Sequence, residues 1–246
     1  MANSGSVGVI KDLETWLTDN ISTASADGIK WVTSVDTSDT AFARAVAAGR
    51  GIHAAGALAA TANNLIELCG DLTHVYGQTG HYVLEVQIQM DIVAAIAFNI
   101  GLNDDSLDAG NTLPVELSGT TWTSTASSFI GFVFDTDATN DDVHCFWVDD
   151  DTDTSKAIAD LRLSGAAPVA SKWAMARIEL QDRGSGNGVR ATFLWVQDGK
   201  SFEKVFDTTL DRDVGLVPYI GIEQRATPSA ANVYVKYIYQ EQSIAD

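Results

Sequence analysis

The sequence predicts an all-β antiparallel sandwich carrying a short amphipathic helix or arm at its N-terminus. Three observations predict it. Residues 82–90 alternate, with Tyr82, Leu84, Val86, Ile88 and Met90 on one face and Val83, Glu85, Gln87 and Gln89 on the other, which is the period of a half-buried strand. Roughly ten segments of strand length then follow one another down to residue 240, at the short spacing typical of sandwiches. Polar clusters and turn signals separate these segments, where an alternating α/β chain would place long helices.

The elements follow in order. Val9, Ile10, Leu13, Trp16 and Leu17 fall at i, i+1, i+4, i+7 and i+8, one face of a helix, with Lys11, Asp12, Glu14 and Asp19 on the other. Ser6 is placed to cap its start and Asp19-Asn20 to end it. Five apolar side chains on one face are too much for a free tail, and an isolated helix of about 13 residues is marginal in water. The helix must therefore pack, either on its own domain or on a neighbouring subunit, where these five residues would form an assembly surface. Residues 1–27 thus read as a helix or arm and 28–246 as a single sandwich domain.

Residues 29–35 read as a strand. Residues 41–62 are small and weakly periodic, and Gly49, Gly51 and Gly56 break up any helix there, so extended or irregular chain is expected. Strands are expected at 64–69, 82–90, 94–102, 129–135, 143–149, 174–181, 189–197, 202–207, 216–223 and 233–240. Gly184-Ser185-Gly186-Asn187-Gly188 reads as a hairpin loop. Asp198-Gly199 reads as a tight hairpin turn, where glycine tolerates positive φ.

Composition excludes several functions. In 246 residues, 15 Lys+Arg face 33 Asp+Glu, a net charge of −18, so nucleic acid is not an expected partner. No apolar run approaches the ~20 residues that cross a bilayer, so no membrane partner is expected. The first residues lack the basic-then-apolar pattern of a signal peptide. Two cysteines do not make a disulfide scaffold.

Catalytic patterns are missing. Glycoside hydrolysis needs two carboxyls about 5–9.5 Å apart, or two residues apart on one strand face, about 6.6 Å. Glu85 is followed on its face by Gln87 and Gln89, and Glu179 by Gln181. A pair across strands stays open. None of His53, His74, His81 and His144 is matched to a nucleophile, and there is no Gly-x-Ser-x-Gly elbow. Cys145 beside His144 points to the opposite strand face and reads as a core residue. No enzyme activity is expected.

The acidic run is the strongest local anomaly. Asp135-x-Asp137-x-Thr139 imitates the opening of a calcium loop, with Asp141 and Asp142 behind it, but the loop's glycine and closing glutamate are missing. Two solvated acidic loops are the expectation, with calcium as the alternative. No zinc spacing occurs, and no cofactor is expected. Trp147 and Trp195 lie within strand patterns and read as core, whereas Trp122, in a polar run, is expected to be exposed.

The stretch Phe129-Ile130-Gly131-Phe132-Val133-Phe134-Asp135-Thr136, followed by Asn140-Asp141-Asp142 and the aromatic pair Phe146-Trp147, resembles a group of tailed-bacteriophage virion proteins. Gly165-Ala166-Ala167-Pro168-Val169-Ala170 before the strand at 173–180, and the closing Val233-Tyr234-Val235-Lys236-Tyr237-Ile238-Tyr239-Gln240-Glu241, are similar too. The resemblance covers residues 80–246. It implies a concanavalin A-like jelly roll on a virion, made in a host bacterial cytoplasm and placed on the capsid surface. There it would be a non-enzymatic decoration or cement protein bound to the major capsid protein, self-associating as a trimer. A glycan- or receptor-binding lectin-like module of a fibre or tail is the alternative.

Overall fold

The computed structural model describes residues 9–23, 30–70, 74–75, 80–105, 112–225 and 230–243. Among them nineteen strands and one short helix follow in order. They are β1 (Val9–Glu14), β2 (Ile21–Ser22), β3 (Trp31–Val35), β4 (Thr40–Ala47), β5 (Gly51–Leu58), β6 (Leu65–Gly70), β7 (His74–Val75), β8 (His81–Met90), β9 (Ile96–Asn103) and β10 (Val115–Ser118). Then come β11 (Thr121–Ser124), β12 (Phe129–Asp135), β13 (His144–Asp149), β14 (Thr152–Asp153), α1 (Ile158–Leu161), β15 (Ala174–Asp182), β16 (Val189–Gln197), β17 (Lys200–Asp207), β18 (Gly215–Gln224) and β19 (Ala231–Ser243).

Two sheets face each other. The eight-stranded sheet runs β17-β16-β15-β8-β19-β5-β4, with β1 beside β19, and the nine-stranded sheet runs β14-β13-β12-β9-β18-β6-β3-β2, with β7 beside β18. Their inner faces meet in one aromatic core. Phe98 stacks on Phe134 and Trp195, and Phe132 meets Phe193 and Trp195 edge-on, arrangements that suit ring quadrupoles. Trp147 and Trp195 are buried as the strand pattern predicts. The Asp198-Gly199 turn between β16 and β17 has positive φ at both residues, the pairing a tight hairpin requires.

The outer face of the nine-stranded sheet is also covered. A separate hairpin, β10 with β11, roofs it. The Asn99 amide grips the hairpin by both hands, donating to Val115 O at 3.0 Å and accepting from Val115 N–H at 2.8 Å. Trp122, expected to be exposed, is buried under this roof against His144, ring centres 5.4 Å apart. Its polar neighbours in sequence face outward while the indole faces in. The sheet accepts the roof because glycines line it: a Cβ on Gly221 would fall 2.8 Å from Leu113 Cδ2 and 2.4 Å from the Tyr219 hydroxyl.

The N-terminal helix is not present: residues 9–14 are strand β1, paired antiparallel with Ile238–Ser243 of β19. The reason is the length of β19. Its thirteen residues outrun β5, which pairs only with 231–235, so the remaining edge offers a ladder of hydrogen bonds. An isolated short helix offers no such gain. The apolar face is split accordingly. Trp16 is fully buried and packs on Trp31, ring centres 5.7 Å apart, whereas Ile10, Leu13 and Leu17 are exposed and Val9 is half-buried. Ser6 and the boundary at 27/28 lie outside the described residues. The segment expected to be extended or irregular at 41–62 is the hairpin of β4 and β5.

Candidate functional site

Strand β19 reads Val233-Tyr234-Val235-Lys236-Tyr237-Ile238-Tyr239. Strict alternation would put Val233, Val235, Tyr237 and Tyr239 on one face. A bulge between Val235 and Tyr237 inserts one residue and swaps the faces downstream. Val233, Val235 and Ile238 therefore enter the core, and Tyr234, Tyr237 and Tyr239 all turn to the outer face of the eight-stranded sheet. They stand opposite Gln89, Gln87 and Glu85 of β8. Partners two residues apart along β8 space the three rings at about 6.8 Å intervals.

The two rings nearer the C-terminus are tied down by their hydroxyls. Tyr237 donates to Glu85 Oε1 at 2.5 Å, and Tyr239 donates to Glu241 Oε2. Each acceptor sits one same-face position along the sheet, so each ring leans along the sheet rather than standing out from it. Arg177 holds Glu85 in turn, donating to Glu85 Oε2 at 3.0 Å and to Glu179 Oε1 at 2.7 Å. Lys11 lies 3.1 Å from Glu241 Oε2. Burial, with the Glu85 carboxylate next, pushes Tyr237 up; burial and Glu241 do the same for Tyr239. The hydroxyl of Tyr239, then Lys11, hold Glu241 below the usual carboxylate range. Both phenols therefore stay protonated donors at neutral pH. The third ring is closed: the Arg50 guanidinium covers Tyr234 at 3.9 Å from the ring centre and donates to Gln89 Oε1 at 2.7 Å.

Among the described residues two other acidic assemblies stand out, one closed and one open to solvent. Under the roof hairpin, Arg225 donates to Asp135 Oδ2 through Nε at 2.8 Å and Nη2 at 2.6 Å, and to Glu223 Oε1 through Nη1 at 2.6 Å. At one end of the sandwich Asp149, Asp150, Asp211 and Asp213 line a shallow cleft with Ser127 and Ser128. The four calcium candidates are not brought together. Asp135 is buried on Arg225, and its Oδ1 accepts the Asp137 N–H at 2.8 Å. Asp142 faces Arg162 at 3.7 Å, and Asp137 and Asp141 are exposed. Among the described residues no group of three His, Cys, Asp or Glu is placed to hold a metal ion. Cross-strand carboxyl pairs do form, Glu85 with Glu179 and Glu116 with Glu223, but an arginine occupies each. Cys145 faces the core, where burial pushes its thiol up, and His144 faces the roof, where burial pushes it down to about 4.

Known solved structures match this two-sheet sandwich over nearly the whole chain. The chain has a legume-lectin-like, concanavalin A-like fold. It is similar to a protein of unknown function from Shewanella oneidensis MR-1, at TM-score 0.61 and 9% identity, over 100% of this chain and 91% of that one. Peanut lectin matches at TM-score 0.60 and 10% identity, over 96% and 98%. The carbohydrate recognition domain of Emp47p matches at 0.54 and 11%, over 92% and 93%. No protein-family model matches the sequence, and no curated protein matches it. These likenesses bear on the fold; a virion role rests on the sequence resemblance alone.

The lectin-like sandwich presents Tyr234, Tyr237 and Tyr239 on a sheet face that the sequence did not single out. The signal was available in part: three tyrosines within six residues of one strand. Their common face depended on the bulge.

Proposed function

We propose that the chain is a non-enzymatic binding module of the glycan- or receptor-recognising kind, acting through the outer face of its eight-stranded sheet. The observation that carries this reading is the pair Tyr237 and Tyr239, held flat by Glu85 and Glu241 with Gln87 beside them. Rigid amphipathic rings with adjacent amide and carboxylate groups give contact area at low entropy cost. Lectin and carbohydrate-recognition folds among the structural neighbours agree with it. Among the described residues the cross-strand carboxyl pairs are each engaged by an arginine. In a virion such a module belongs to a fibre or tail. The test is a glycan array read with the wild-type protein and with Tyr237→Ala/Tyr239→Ala. Binding that disappears in the variant, with the fold retained, supports the reading; no binding to any glycan overturns it.

The exposed Ile10, Leu13 and Leu17 favour a second reading, a decoration protein that docks on the major capsid protein as a trimer. Isologous or cyclic contacts through such residues would gain avidity on a shell. Light scattering and binding to stripped capsids, with Leu13→Ser/Leu17→Ser as the variant, decide it: a monomer that binds no capsid ends this reading.

A further inference from the structure

The geometry points to an uncharged, extended polysaccharide chain as the ligand of the outer tyrosine face, an inference that rests on the glycan-binding reading above.

Three features select that class. The first is spacing. Tyr237 and Tyr239 repeat at the two-residue step of the strand, opposite Gln87 and Glu85, so the face repeats along one line. A repeating polymer satisfies a linear repeat of rings, whereas a single sugar meets only one of them. The row has a defined end, because Arg50 already covers Tyr234.

The second is charge. Along the face Glu85, Glu179 and Glu241 stand against Arg177, Lys11 and Arg50; Arg177 and Lys11 are paired with those carboxylates, and Arg50 is engaged by the Tyr234 ring and the Gln89 amide oxygen. The whole chain adds a net charge of −18. A polyanion approaching this surface meets the repulsion of that net charge, and each of those three cations is already engaged. A neutral chain meets ring faces, the Gln87 amide, which both donates and accepts, and carboxylate oxygens that accept from hydroxyls.

The third is preorganisation. Each hydroxyl tether fixes its ring before the ligand arrives, so little rotamer freedom remains to be lost on binding. Glu85 and Glu241 are on this account positioning residues, and Arg177 positions Glu85.

The experiment uses the full-length protein in affinity electrophoresis through gels holding soluble neutral polymers (hydroxyethylcellulose, galactomannan, arabinogalactan) or polygalacturonate, with isothermal titration of neutral oligosaccharides of rising length. Expected is retardation by at least one neutral polymer, none by polygalacturonate at low salt, and affinity that climbs with chain length before levelling off. Tyr237→Ala and Tyr239→Ala should each weaken binding about tenfold. Tyr237→Phe, which keeps the ring and loses the tether, should weaken it by a smaller factor, and Glu85→Ala, which removes the acceptor, should match Tyr237→Phe. Retardation by polygalacturonate, or a monosaccharide bound as tightly as the polymer, overturns the inference while leaving glycan binding intact. Neutral-polymer binding untouched by Tyr237→Ala and Tyr239→Ala overturns the face itself. Failure to bind any neutral polymer, in a protein that a glycan array shows to bind charged glycans, overturns the ligand class. Failure on both overturns glycan binding altogether.

Discussion

Glu223, on the sheet beneath the roof hairpin, accepts from Arg225 Nη1 through its Oε1 at 2.6 Å. Its Oε2 is buried with no donor among the described residues. Burial pushes Glu223 up to about 7, with Glu116 adding to it and Arg225 opposing it. Asp135, on the far side of Arg225, is likewise pushed up by burial, with Arg225 only partly offsetting.

The pH dependence follows from these groups. A carboxyl raised above its ordinary 4.5 favours the folded state fully below that value, and the advantage is lost as pH rises through about 7. Glu223→Gln mimics the protonated form. It should match the wild type at acid pH and exceed it at pH 8 by about 1–3 kcal/mol. His144 works in the opposite sense: pushed by burial from 6.5 down to about 4, it contributes stability that is lost as pH falls through that window. The two slopes oppose each other between about pH 4.5 and 6.5, so the wild-type profile should be nearly flat there. Urea unfolding of Glu223→Gln against pH checks this; a curve parallel to the wild type refutes the raised Glu223.

Gly101 stands opposite Gly131, where β9 and β12 run against each other. A Cβ on Gly101 would lie 2.2 Å from Ile130 O and 2.5 Å from Gly131 Cα, both backbone atoms that cannot swing aside. Gly101→Ala should cost about 3 kcal/mol or more. Gly119→Ala, where φ is positive but nothing lies within 4 Å, should cost about 1 kcal/mol. Thermal melts of the two variants rank them; equal losses contradict the close approach.

Deleting Lys236 should be tolerated. The residue is the extra one of the bulge, and its removal restores strict alternation with Tyr237 and Tyr239 still facing outward. The loss is the hydrogen bond from Lys236 Nζ to Arg50 O, about 1 kcal/mol. Deleting Ile238 instead takes a core side chain and swings Tyr239 inward, and should unfold the protein. Circular dichroism melts check both, and a Lys236 deletion that unfolds would mean the bulge itself is required.

Trp16→Ala should destabilise the fold by about 3–5 kcal/mol, because Trp16 is buried against Trp31. Glu14 reinforces the same corner: burial alone would raise it, but hydrogen bonds from the Asn20 amide, the Trp16 N–H and the Trp31 indole, with Lys30 nearby, hold it below the usual range. Removing residues 1–20 should therefore lower the melting temperature of the sandwich. A truncated chain as stable as the full one would show that the N-terminal strand is dispensable.

The sequence by itself determined the sandwich. Alternation at 82–90 and the runs at 129–135 and 189–197 became β8, β12 and β16 within a residue or so, because side-chain period two is a local property of a strand with one buried face. It also determined that Trp195 and Cys145 lie inside. It did not determine the state of residues 9–14, whose apolar spacing suits a helix. The unpaired edge of β19, more than two hundred residues away in the chain, decided that they are a strand. Nor did it reveal that Trp122 is roofed, since its polar neighbours face solvent while the indole faces the sheet. Least legible was the tyrosine row: one inserted residue at Lys236 reverses which side chains face outward. A bulge is chosen by pairing with β8 and by the core's demand for Ile238, and both of these exist only once the sheets have come together.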